Sequence, residues 1–130
     1  MSLRVLLIGA AEYYDTDIPA LQGTTMDLQL WYGYAAIRLG VPVTDIRVLG
    51  NTTPSALLGH LAHPGNTANI DIRSATRTEI LDGFSWLMDG IKDGKRGLLA
   101  YSGYGTLLPP QKRPRGVRAA TRVRAICPVD

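Results

Sequence analysis

The apolar positions of this chain follow two rhythms. Unbroken apolar runs come first: Leu3 to Ala11 (LRVLLIGAA) and Gly97 to Ser102 (GLLAYS) read as strands buried on both faces, as in a parallel sheet. Asp45 to Gly50 (DIRVLG) reads as a further strand between them. The second rhythm is helical. Leu28, Trp31 and Ala35 share one stripe, and Leu30, Tyr34 and Ile37 share the adjacent one. Thr24 or Thr25 is expected to cap this helix, with Asp27 in its first turn; Gly40 stops it and Pro42 follows. A second helix starts at Thr76 or Thr78, shows Ile80, Leu81, Phe84, Leu87, Met88 and Ile91 on its apolar face, and ends at Gly94.

The connections are polar. Glu12 to Gly23 reads as a loop, and Asn51 to Ser74 as a long loop with one helical turn near Ser55 to Leu61. Residues 107–124 form a basic loop, and Val123 to Val129 a last, edge strand. No internal repeat or low-complexity segment interrupts this order. Strand–helix–strand–helix–strand predicts an α/β domain over residues 1–130, a parallel-rich sheet flanked by helices with right-handed connections. Functional sites in such sheets lie beyond the carboxyl ends of the strands. That rule selects residues 10–14 and 102–106.

Length and composition agree with one globular domain: 130 residues, 45% hydrophobic and 19% charged. No apolar run approaches the roughly 18 residues of a membrane span, and the first ten residues suit a strand better than a secretory signal. One cysteine, Cys127, leaves no intrachain disulfide and no four-thiolate zinc site, so a cytoplasmic setting is expected. Charge changes the picture more. Residues 1–94 carry six Lys/Arg against ten Asp/Glu, net −4; residues 95–130 carry eight against one, net +7. An acidic body ends in a basic segment. Lys112, Arg113, Arg115, Arg118, Arg122 and Arg124 suit phosphate, a protein partner or plain solvation, but no aromatics interleave for base stacking, so nucleic acid is disfavoured.

The segment Tyr101-Ser102-Gly103-Tyr104-Gly105-Thr106 carries the most chemistry. It ends a strand and sets one large side chain between two glycines, which permit a tight turn and close backbone approach. A plain strand-ending turn with an aromatic plug has the same pattern. Asp27 is either a carboxylate supporting a helix N-terminus or a recognition carboxylate. Ser102 is a strand-end hydroxyl or a pocket residue. His60 and His63 have helical spacing, but no Cys, Asp or Glu cluster accompanies them, so no metal site is assigned. Cys127 fits a small buried hydrophobe better than a reactive thiol.

These segments, in this order, resemble the caspase-like cysteine peptidases, most closely the metacaspase and orthocaspase branch. The opening strand RVLLIGA, the turn Glu12-Tyr13-Tyr14, the Leu21-Gln22-Gly23-Thr24-Thr25-Met26-Asp27 segment, the threonine-led helix at 76–87, YSGYGT at 101–106 and Ile126-Cys127-Pro128-Val129-Asp130 each match a family feature. The resemblance implies a caspase–haemoglobinase fold, incomplete at its C-terminus. It also implies that Asp27, Ser102 and Gly103 line a pocket for Arg or Lys, and that Gly105 contributes to an oxyanion site.

Two departures alter the implied activity. Tyr104 stands where the family has its catalytic histidine, and a phenol is a poor base at neutral pH. The nucleophilic cysteine, expected about 50 residues later, falls beyond Asp130. The family's acidic stretch before Ile-Cys-Pro-Val-Asp is RGVRAATRVR here, which disfavours calcium. The expectation is therefore a pseudo-peptidase or non-catalytic half, without cofactor. It would act in regulation or protein–protein interaction, with a protein partner or the missing half of the fold. Two alternatives stand beside it: half of an active Arg/Lys-specific endopeptidase, and a binding module using residues 112–124.

Overall fold

The computed structural model describes residues 2–62, 69–108 and 123–130. Its elements are β1 (Leu3–Gly9), α1 (Thr24–Gly33), β2 (Ile46–Gly50), α2 (Pro54–Leu58), β3 (Asp71–Arg73), α3 (Arg77–Lys92), β4 (Arg96–Ser102), β5 (Gly105–Leu108) and β6 (Val123–Ile126). The first four strands form one sheet in the order β3-β2-β1-β4, parallel throughout. β5 and β6 pair separately as an antiparallel ribbon. The α/β class with a parallel sheet flanked by helices is thus as the apolar runs require. His63 and the basic segment 109–122 lie outside the described residues.

β1 is central because its side chains are apolar on both faces. Val5 and Leu7 join Val48, Leu28, Tyr32, Ala35 and Leu57 in one core beneath α1 and α2. Leu6 and Ile8 join Leu49, Ile80 and Leu87 in a second core beneath α3. Full burial of each such aliphatic side chain contributes about 1.5–3 kcal/mol. The chain leaves β1 for β2 and β3 on one side, then returns through α3 to β4 on the other. The order therefore reverses between β1 and β4, which places a crevice at their carboxyl ends.

Several boundaries differ from expectation. α1 begins without a side-chain cap: Gly23 is its N-cap, and Thr24 is buried instead at 2% exposure. A π-helical turn, Tyr34–Arg38, continues α1 up to Gly40, whose φ of +66° favours glycine. The second apolar stripe, Leu30, Tyr34 and Ile37, is exposed. For α3, Thr76 is the cap, accepting the Glu79 amide at 3.3 Å. Only part of the α3 apolar face is covered: Ile80 and Leu87 are buried, whereas Leu81, Met88 and Ile91 are exposed.

Three strand assignments need correction. The segment Asn51–Ser74 is not simply a loop with one helical turn, because Asp71–Arg73 adds a strand beside β2. Gly97–Ser102 is a strand but not a buried one: β4 is the sheet's edge, and Leu98 and Leu99 are 38% and 48% exposed. Val123–Val129 contributes a strand only to Ile126, and its partner β5 was not expected.

Polar ties hold the α3 face. The guanidinium groups of Arg4 and Arg47 lie 4.7 and 4.6 Å from the Trp86 ring centroid. Arg47, 7% exposed, is ion-paired to Asp71 at 3.0 Å and Asp82 at 3.2 Å. At the amino ends, Lys95 donates to Asp45 at 2.6 Å and Arg4 lies 3.4 Å from the same carboxylate. The Lys95 hydrogen bond, with Arg4 adding to it, holds the Asp45 carboxyl below its ordinary value. Among the described residues no helix is long and apolar enough to cross a membrane.

Candidate functional site

Ser102 is the last residue of β4, and its hydroxyl donates to Asp27 Oδ2 at 2.7 Å. Asp27 reaches it from the first turn of α1, 75 residues away in sequence. Thr24 Oγ1 stands 3.4 Å from the same hydroxyl. The Ser102 carbonyl accepts the Ala10 amide at 2.8 Å, which fixes the strand ends of β1 and β4 against each other. Three oxygen-bearing side chains thus meet at the crevice between β1 and β4. The cluster can accept hydrogen bonds from a cationic group, and Asp27 supplies the charge.

Next to it, the backbone of Tyr104 is fixed at both polar atoms. Its N–H donates to Tyr13 Oη at 2.9 Å, and its carbonyl accepts from Tyr101 Oη at 2.7 Å and from the Cys127 N–H at 3.1 Å. The Tyr13 and Tyr104 rings pack with centroids 5.4 Å apart, tilted by 55°. Tyr101 Oη also accepts from the Cys127 N–H at 3.2 Å, so one phenol joins β4, the turn and the segment after β6. Burial first, and hydrogen bonding with Tyr13 second, raise the Tyr101 phenol well above its ordinary value. It serves as a neutral hydrogen-bonding post. Gly103 makes this possible: a Cβ there would run into the Tyr101 phenol and lie 3.0 Å from Ala10 Cβ.

The segment after β6 runs across the same edge as a strap. Val129 accepts the Tyr14 amide at 2.7 Å and donates to the Ala75 carbonyl at 3.0 Å. Asp130 Oδ1 accepts the Arg77 amide at 2.8 Å, at the start of α3. Val129 is buried in the α3-side core. Cys127 is half-buried with its backbone engaged, and it has no imidazole beside it among the described residues. Gly105 opens β5 opposite Ile126. His60 lies exposed in a short helical turn after α2, away from this edge. No group of three or more His, Cys, Asp or Glu among the described residues could hold a metal ion.

A cleft of about 480 Å³ opens at the carboxyl ends of β1 and β2. Gly9, Gly50, Tyr13, Tyr14, Asn51 and Val129 are among its lining residues; Asp27, Ser102 and Tyr104 do not line it. Of the residues singled out from sequence, Asp27, Ser102, Gly103 and Tyr104 come together. Those not foreseen are Tyr101 as the post, Val129 as the strap and Asn51 in the cleft. The Tyr14–Val129 and Tyr101–Cys127 contacts join the segments 12–14, 101–106 and 126–130, each singled out by its residues, but nothing in those residues signals the pairing. No protein-family model and no curated protein matches this chain.

Proposed function

We propose that this chain is a degenerate caspase-like domain of the metacaspase/orthocaspase type, which recognises Arg- or Lys-bearing protein segments without cleaving them. The observation that carries the reading is the meeting of Asp27 with Ser102 beside Tyr104 at the carboxyl edge. A carboxylate next to a hydroxyl suits a guanidinium, which can donate to both. At the position of the family's base stands a tyrosine whose main chain is fixed by Tyr13, Tyr101 and Cys127. Its phenol cannot form a thiolate–imidazolium pair, so it does not carry a proton to and from a cysteine as the family's base does. Binding without turnover is the activity left to such an arrangement, and regulation or scaffolding is the role it fits.

The open β4 edge supports a second element of the reading. Among the described residues its seven positions pair only with β1, and Leu98 and Leu99 are half-exposed. Long apolar edges are normally paired or covered. The complementary half of a caspase-like fold, or a partner protein, would extend the sheet there.

The test is a binding titration with an acetylated peptide ending in Arg-amide. Asp27→Asn is expected to weaken binding by about 1.5–3 kcal/mol, the range for hydrogen bonds to charged groups. Unchanged affinity, with only about 0.3–1 kcal/mol lost in stability, would reduce Asp27 to a support for α1.

A further inference from the structure

We infer that the cleft at the carboxyl ends of β1 and β2 binds one basic side chain of a peptide or protein, at a position separate from Asp27. Its space, about 480 Å³, exceeds what a single Arg or Lys side chain fills. Its lining includes Gly9 and Gly50, the last residues of their strands. Tyr13, Tyr14 and Val129 give it aromatic and aliphatic walls, and Tyr14 is 67% exposed. Such walls suit the methylene stem of Lys or Arg.

Charge selects the head group. Glu12 lines the cleft and contacts the Asn51 amide at 3.4 Å, but pairs with no cation among the described residues. Arg73 also lines the cleft, yet its guanidinium is already engaged: Asp71 at 2.9 Å, Asp82 at 3.1 Å and Glu79 at 3.6 Å. Arg47 shares Asp71 and Asp82. Three carboxylates therefore face two guanidinium groups, and Glu12 adds a fourth negative charge. Asp130 adds a further one from the strap, with Asp15 and Asp17 in the exposed loop after Tyr14. Among the described residues these carboxylates outnumber Arg47, Arg73 and the nearby Arg77, which disfavours an anion. A bare metal ion is disfavoured too, since no three ligating side chains converge among the described residues. An organic cation on an apolar stem satisfies both the walls and Glu12.

The site stands independently of Asp27, because the cleft lies on the β2 side of β1 and Ser102 ends β4 on the other. The test is a titration with N-acetylarginine amide, followed at each backbone amide by nuclear magnetic resonance. Shifts are expected at Tyr13, Tyr14, Gly50, Asn51 and Ser74. Glu12→Gln should weaken the affinity read there by about two- to fivefold, the effect of an exposed charge or ring contact. Tyr14→Ala should do the same, and the neutral isostere N-acetylcitrulline amide should not shift these amides. Asp27→Asn should leave them unchanged. Shifts confined to Thr24, Asp27 and Ser102 would overturn this inference while leaving the Asp27 reading intact. Equal binding of the citrulline compound, or indifference to both variants, would overturn it as well.

Discussion

At one edge of the sheet, β3 is three residues long and carries Asp71 and Arg73; at the other, β4 is seven residues long and exposes Leu98 and Leu99. The β3 edge is closed by charge. Arg47 and Arg73 bind Asp71, Asp82 and Glu79, so short strand length and ion pairs together discourage further pairing. Among the described residues the β4 edge is neither short nor crossed by such a network. Beyond its ladder with β1, it is tied mainly by Lys95 to Asp45 at its start and by Tyr101 at its end. The Asp27–Ser102 pair and Tyr104 sit at the carboxyl end of that open strand. The comparison teaches that the finished edge supports the fold, whereas the unfinished edge carries the Asp27–Ser102 pair and, on the function proposed above, the surface for a partner.

The largest effect should come from breaking the closed edge. Arg47→Ala removes the buried guanidinium from Asp71, Asp82 and Trp86, which keep Arg73 and Arg4 as partners, and is expected to cost about 3 kcal/mol in urea unfolding, two hydrogen bonds to charged groups at the low end of their range. A loss below about 1 kcal/mol would mean that the β3 edge does not depend on this network. Next comes the amino-end tie of β4. Asp45→Asn should cost about 1.5–3 kcal/mol at neutral pH. Because the folded carboxyl is held below its ordinary value, its stabilisation is present above about pH 4 and disappears as pH falls through the folded value. Asp45→Asn should therefore flatten the acid side of the stability–pH curve.

Smaller effects sharpen the open side. Tyr101→Phe keeps the ring but removes the hydroxyl that holds Tyr104 and Cys127, at an expected cost of about 1–2 kcal/mol. Amide hydrogen exchange should quicken at Cys127; unchanged protection would show that the post is dispensable. Leu99→Lys should change the stability of the isolated chain least, within about 0.5 kcal/mol, because the side chain is already half-exposed. The same change should block association with a strand-bearing partner. A large loss of stability instead would show β4 to be a core strand.

Much of this was legible from residue pattern. The run LRVLLIG reads as a strand because its faces are apolar, DIRVLG reads as another, and Thr76, one of two threonines that could start the second helix, is its cap. Burial was not equally legible. GLLAYS is as apolar as β1, so hydropathy alone cannot separate a central strand from an edge awaiting a partner. β3 was hidden because its three residues, Asp-Ile-Arg, owe their place to ion pairs with Arg47 and Asp82 rather than to a hydrophobic run. At the site, topology brings Asp27 to Ser102, as the parallel order requires. The Tyr101 tie to Cys127 and the strap contacts of Val129 join segments 26 or more residues apart, which no local spacing encodes.

The central claim is recognition without cleavage at the end of the open edge. Its most direct measurement incubates the chain with a peptide carrying a fluorogenic group after Arg, with and without calcium, and follows release of the fluorophore. With Tyr104 in place of a general base, release is expected to stay at the uncatalysed rate while the peptide binds. Catalytic release that persists in Cys127→Ala after repurification would contradict the account.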